Sequence, residues 1–148
     1  GHHEPELHRF SDEICSALQI ANFLQDVSVD IPRGRCYLPE EDLLHFGVEH
    51  EELLAGDSTE AFLELMQFSV SRARAMFHRG QPLIRRVSPG LSMELDATWR
   101  GGMRILDRIE AMDFNTLTER PVLERRDFAG IAMRSLVAFG GRFLRGEA

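Results

Sequence analysis

The 148-residue sequence predicts an all-α domain. Three observations carry that expectation. Apolar residues recur at helical spacing through each long segment between proline and glycine clusters. No segment alternates apolar and polar residues for long enough to make a strand. The breakers gather in a few places, "DIPRG", "RGQP" and "SPG", so the chain divides into about five or six helices with short loops. There is no internal repeat and no low-complexity segment.

The first helix is expected over about Pro5 to Val29. Ser11, Asp12 and Glu13 offer a start, and Ile14, Ala17, Leu18, Ala21 and Leu24 keep one apolar stripe. Pro32 and Gly34 stop it. A short helix follows in "LPEEDLLHFGV": after Pro39, the acids Glu40, Glu41 and Asp42 suit the positive end of a helix dipole, and Gly47 closes the element. A long helix begins near Ser58, with Phe62, Leu65, Met66, Phe68, Ser69, Ala73, Met76 and Phe77 as its stripe. Gly80 and Pro82 are expected to kink or interrupt it. The next helix runs from Leu91 through "LSMELDATWRGGMRILDRIEAM", and "ERRDFAGIAMRSLVAFGGRFL" is the last.

Composition narrows the function classes. With 43% hydrophobic and 28% charged residues the chain is ordinary for a soluble globular domain. A formal net charge of −7 argues against an electrostatic nucleic-acid binder, which needs a basic face. Cys15 and Cys36 show neither a zinc spacing nor a disulfide framework and read as two reduced thiols. No apolar run approaches the ~18 residues of a membrane span. The chain opens "GHHEPELHRFSDEICSAL", with no initiator Met. His2 and His3 read as native, running straight into the helix, so the sequence is expected to start inside a longer protein. His45, His50 and His78 are scattered and read as surface residues. Trp99, Phe62, Phe68 and Phe77 read as core or pocket wall.

One stretch does not read as plain core. "LQIANFLQDVSVDIPRGRCYLP" places Gln19, Asn22, Asp26 and Asp30 on a helix at spacings of three, four and four. At ~100° per residue they share one stripe about 80° wide. Asp26 and Asp30 are i, i+4 neighbours with Cβ atoms roughly 5–6 Å apart, so their carboxylates repel unless a cation joins them. Mg²⁺ takes hard oxygen ligands, often one or two carboxylates, and completes its shell with water and substrate phosphate. Arg33 and Arg35 follow, and guanidinium groups clamp phosphate oxygens with paired donors. Carboxylates with arginines a few residues on are the chemistry of a metal-bound diphosphate. No G-x-x-x-x-G-K loop is present, so this is not a nucleotide P-loop.

These residues carry a resemblance. "QIANFLQDVSVDIPRGRCYLPEEDL" resembles the second aspartate-rich motif of the squalene/phytoene synthase family, loosely Q-L-x-N-x-x-x-D-V-x-x-D and then basic-G-R-x-Y-x-P. Gln19, Asn22, Asp26, Val27, Asp30, Arg33, Gly34, Arg35, Tyr37 and Pro39 fill it. "RILDRIEAMDFNTLTERP", Arg104 to Pro121, is similar to a late segment of the family. The likeness covers nearly the whole chain but only the C-terminal half of the family.

The resemblance implies the isoprenoid synthase fold, with residues 1–148 as the C-terminal half of one domain. It implies that Asp26, Asp30 and Asn22 hold Mg²⁺ against a diphosphate and that Gln19 lines the site. Arg33, Arg35 and Arg120 would contact the diphosphate, while Tyr37 would pack in its turn. The reaction implied is head-to-head condensation of two farnesyl diphosphate molecules in an apolar pocket. The first D-x-x-x-D motif of the family has no counterpart here and is expected N-terminal to Gly1, so these residues alone are expected to be inactive. A cytoplasmic place is expected, with peripheral contact at the inner membrane face through anionic lipid.

Two departures from the family pattern point to a branch. Gln25 stands where many members have Arg, and Gly102 where many have Tyr. Both resemble the hopanoid-pathway branch, in which a presqualene-type cation is hydrated to hydroxysqualene. The hypothesis that follows is that Gly102 leaves room for a water. Phytoene or dehydrosqualene synthesis is the alternative within the family. A non-catalytic relative serving in assembly is a second reading, which the intact Asp26 and Asp30 disfavour. A generic helical adaptor is a third, and it leaves the Arg33–Pro39 turn unexplained.

Overall fold

The computed structural model describes residues 4–144, and all of the regular structure among them is helical. His2 and His3 lie outside the described residues. Helix α1 (Pro5–Gln25) has proline in its first turn, where a missing N–H goes unfelt. Four residues of its expected stripe are buried, Ile14, Ala17, Ala21 and Leu24, extended backward by Leu7 and Phe10, while Leu18 is half-buried. The expected run to Val29 is broken at Asp26, whose φ of −97° and ψ of 9° leave the helical region. Helix α2 (Val27–Asp30) resumes at once and passes into a 3-10 turn, Ile31–Arg33. Gly34 ends it at φ 72°, a conformation that glycine adopts without steric cost.

Helix α3 (Glu40–Phe46) closes at Gly47 as expected. Helix α4 (His50–Ala55) has no counterpart in the sequence expectation. It buries a single apolar side chain, Leu53, too little to make a periodic stripe. Its start is marked by the Glu49 N–H, which donates to Glu52 Oε2 at 3.3 Å.

Helix α5 (Glu60–Gly80) starts at Thr59, whose hydroxyl oxygen accepts from the Phe62 N–H at 3.3 Å. Phe62, Leu65, Met66, Ser69, Val70, Ala73 and Phe77 are buried along it. Phe68 departs from expectation and is 43% exposed. It lies about 120° around the helix from Phe62. There its ring meets Phe46 at 5.4 Å and the Arg72 guanidinium at 5.3 Å.

Gly80 and Pro82 do interrupt the helix. A 3-10 turn, Gln81–Arg85, leads to α6 (Pro89–Glu110). Gly80 also lets two helices touch, since a Cβ there would lie 2.6 Å from Ile14 Cγ1 and 2.8 Å from the Phe10 carbonyl oxygen.

After α6 the chain reverses in a tight turn. Asp113 and Phe114 both take left-handed backbone, at φ 51° and 62°. Such residues cost on the order of 1 kcal/mol each and persist where neighbours over-determine them. Here the Phe114 N–H donates to the Ile109 carbonyl at 3.0 Å, and Ser58 Oγ donates to Asn115 Oδ1 at 2.5 Å. The turn sends the chain back towards α1 before α7 (Arg125–Leu144) begins.

One core joins α1, α3, α4, α5 and α6, with α1 packed on α5 and α6, and α7 packed on α6. Phe62 and Phe77 are fully buried in it. Each such side chain contributes about 1.5–3 kcal/mol relative to exposure. No described helix is long and apolar enough to cross a membrane.

Candidate active site

The end of α1 and the segment returning from α6 form one wall of a cleft of about 500 Å³. Leu18, Ala21, Asn22 and Gln25 come from α1, Thr98, Gly101, Gly102 and Ile105 from α6, and Arg120, Val122, Leu123 and Phe128 from the return segment and α7. Polar groups cluster at one edge, where Asn22, Gln25 and Arg120 meet the segment starting at Asp26. The rest of the lining is largely apolar.

The sequence-predicted residues divide into three groups. Asn22 and Arg120 line the cleft. Asp26 is half-buried beside it, and Arg120 Nε donates to Asp26 Oδ1 at 2.6 Å. Asp30 is half-buried one helical turn on, and its N–H donates to the Asp26 carbonyl at 2.8 Å. The break at Asp26 therefore keeps the i, i+4 relation of the two carboxylates. Gln19 is exposed on α1 and does not line the cleft. Arg33 and Arg35 are exposed on the turn after α2, with the Arg35 N–H donating to the Asp30 carbonyl at 3.0 Å. The side chains of Asp30, Arg33 and Arg35 have no hydrogen-bond or ion-pair partner among the described residues. Tyr37 stacks on Phe23 with ring centroids 4.4 Å apart and planes 7° from parallel, fastening that turn to α1.

Gln25 is more than the absence of an arginine. It is buried, and its Nε2 donates to the Pro121 carbonyl at 2.6 Å across 96 residues. Nothing in the sequence marks this pairing, because neither partner lies in a periodic segment with the other.

Gly102 lines the cleft but provides no spare room. A Cβ there would lie 2.3 Å from Phe77 Cζ and 3.1 Å from Leu18 Cδ2. The glycine is needed so that the buried Phe77 ring can pack against α6, which overturns the idea that it opens space for a water. Gly101, its neighbour on the same cleft, meets nothing within 4 Å.

The donor set suits a hard cation in part. Asp26, Asp30 and Asn22 offer oxygens only, as Mg²⁺ prefers. Among the described residues no three His, Cys, Asp or Glu side chains gather into a metal cluster. Two carboxylates and an amide leave about half of an octahedral shell to water and a bound anion, which suits the coordination Mg²⁺ keeps in phosphate sites.

A second cleft, of about 530 Å³, lies between α5, α6 and α7. Arg74, Arg100, Arg104, Arg126 and Arg134 line it together with Asp107, Asp127 and Trp99. Its charges are mostly engaged. Arg104 Nε donates to Asp127 Oδ1 at 2.8 Å, and Arg74 reaches Asp107 and Glu110 at 2.9 and 3.0 Å. Asp127 also accepts from the Glu124 N–H and from Arg108, and these donors hold its carboxyl well below the usual range.

Comparison with known proteins places the chain in a family. The family model for squalene/phytoene synthase matches residues 1–127. Phytoene synthase 1 of Arabidopsis thaliana is 36% identical over 104 residues, 70% of this chain and 25% of that protein. The 15-cis-phytoene synthase of Synechocystis is 36% identical over 113 residues, 70% of this chain and 31% of that protein. The crystal structure of squalene synthase HpnC from Alicyclobacillus acidocaldarius is similar with a TM-score of 0.73 and 36% identity, covering 76% of this chain and 43% of that one. The chain thus spans a quarter to a third of those two curated relatives. The all-α architecture matches the terpenoid synthase-like helical fold of HpnC. By sequence match and by fold, the chain belongs to the squalene/phytoene synthase family.

Proposed function

We infer that this chain supplies one wall of the active site of a prenyltransferase that joins two farnesyl diphosphate molecules head to head. The single observation that carries the reading is the cleft between α1 and α6, polar at the Asn22, Gln25 and Arg120 edge and largely apolar elsewhere. That division suits a substrate with a charged head and a hydrocarbon chain. Residues 1–148 match only a quarter to a third of those relatives' length, and in this reading the facing wall is not supplied by these residues.

Each residue then has a task. Asp26, Asp30 and Asn22 hold Mg²⁺, which when bound neutralises the departing diphosphate. Arg33, Arg35 and Arg120 bind the diphosphate oxygens, and Gln19, outside the cleft, has no part in this reading. Ionisation leaves an allylic cation. Leu18, Ala21, Ile105, Val122 and Phe128 exclude water around it while the second prenyl double bond attacks, and the coupled cation closes to a cyclopropane by losing a proton to the released diphosphate. Squalene, formed when a hydride donor such as a reduced nicotinamide quenches the final cation, is the product favoured by the likeness to the squalene synthase HpnC. Hydroxysqualene, in which water quenches it, is the variant suggested by the sequence departures at Gln25 and Gly102. Phytoene is the second reading, favoured by the phytoene synthases among the relatives.

The test uses the full-length protein with farnesyl diphosphate and Mg²⁺. Asp26→Ala is expected to slow diphosphate release by about a hundredfold or more, the loss typical of removing one transition-state charge stabiliser. Equal release would falsify the assignment of Asp26; a parallel assay with geranylgeranyl diphosphate tests the phytoene reading, because two C15 units cannot make a C40 product.

A further inference from the structure

Two adjacent residues at the end of α1 hold two adjacent residues of the return segment. Gln25 bonds the Pro121 carbonyl and Asp26 bonds the Arg120 guanidinium, both at 2.6 Å. The order is reversed, 25 with 121 and 26 with 120. Pro121 has a fixed φ and biases Arg120 before it towards extended backbone. The Arg120 backbone is therefore held by a buried bond on one side and a stiff ring beside it.

Its side chain is held more loosely. The Asp26 and Arg120 side chains are 33% and 44% exposed, and ion pairs in such settings are weak. A carboxylate assigned to a metal is thus already occupied by a cationic group from 94 residues away. That group is of the type that binds diphosphate bidentately.

Resting on the function proposed above, we propose that Gln25 is the positioning residue of an exchange latch. Arg120 neutralises Asp26 until a diphosphate arrives, then transfers to the diphosphate and frees Asp26 for the cation. The buried Gln25–Pro121 bond keeps the Arg120 backbone in place, so that only the side chain moves. Each ligand then favours the other: the diphosphate removes the competitor for Asp26, and the cation removes the partner of Arg120. Cation and diphosphate bind as a pair rather than singly.

The experiment titrates Mn²⁺ into the full-length protein by electron paramagnetic resonance, with and without inorganic pyrophosphate. Wild type, Arg120→Gln and Gln25→Met are compared, with far-ultraviolet circular dichroism to confirm folding. Arg120→Gln is expected to bind Mn²⁺ alone about two- to fivefold more tightly than wild type, the competing ion pair being gone. It is also expected to gain less from pyrophosphate. Gln25→Met keeps the side-chain length and loses the donor, and is expected to shift both quantities the same way by a smaller factor. A merely structural loss would weaken Mn²⁺ binding instead. Equal or weaker Mn²⁺ binding by folded Arg120→Gln overturns the latch while leaving the metal assignment intact. No Mn²⁺ binding by any of the three proteins, even with pyrophosphate, overturns the metal assignment and the latch with it.

Discussion

The two clefts are close in volume and both carry arginine, yet they differ in how their charges are met. Between α5, α6 and α7, Arg74, Arg100, Arg104 and Arg126 each have a carboxylate partner. At the end of α1, the side chains of Asp30, Arg33 and Arg35 have none among the described residues, and the single pair, Asp26 with Arg120, is half-exposed. Guanidinium groups that already share carboxylates fasten helices together. Those left open on a turn beside a half-paired carboxylate are the groups proposed above to take an anion. Saturation, rather than the number of arginines, separates structural charge from a binding site.

Breaking that contrast should give its largest effect at the open site. Arg35→Ala in the full-length protein is expected to lower kcat/KM for farnesyl diphosphate about a hundredfold, equivalent to about 2.7 kcal/mol. Its melting temperature should stay within about a degree of wild type, because the side chain touches nothing that folding uses. A large drop in melting temperature would mean that Arg35 is structural.

Next comes the packing beneath the cleft. Gly102→Ala forces a methyl group into the Phe77 ring, and overpacking of this kind costs about 1–3 kcal/mol. Denaturant unfolding measures it. Gly101→Ala, one position away with open space, is the control and should cost less than about 0.5 kcal/mol.

In the paired cleft the expected signature is acid sensitivity. Asp127 is held below its ordinary pKa of 3.8, first by the Glu124 N–H and then by Arg108. A depressed folded value means that its contribution is present above pH ~4 and is lost as pH falls further. Asp127→Asn should lower stability at pH 7 and flatten the acid limb of the stability–pH curve. A limb as steep as wild type would place the acid sensitivity in other carboxylates.

The smallest effect belongs to Arg126, whose pair with Glu124 is largely exposed. Arg126→Ala should change stability by less than about 1 kcal/mol and leave KM for farnesyl diphosphate alone. A raised KM would make the second cleft a substrate site and end the contrast.

Part of this arrangement was legible in the sequence. Ile14, Ala17, Ala21 and Leu24 declare a buried helix face through their spacing, and all four are buried. The Asn22, Asp26 and Asp30 stripe stands out because its polar groups repeat at helical intervals on the side away from that face. What escaped depends on contacts between distant segments. The break at Asp26 coincides with its bond to Arg120, and the role of Gln25 exists only where Pro121 arrives. The need for glycine at 102 is set by Phe77, on another helix. α4 escaped for a different reason: one buried leucine gives no period to detect.

The stack of Tyr37 on Phe23 has a spectroscopic consequence. Tyr37 is the one tyrosine of the chain, and Trp99, in the other cleft, is its one tryptophan. Their near-ultraviolet bands are resolvable. A diphosphate that loosens or tightens the Arg33–Tyr37 turn would alter the tyrosine signal through its ring partner and leave the tryptophan signal steady. The 148 residues therefore carry a built-in reporter on each cleft, one for the open site and one for the closed.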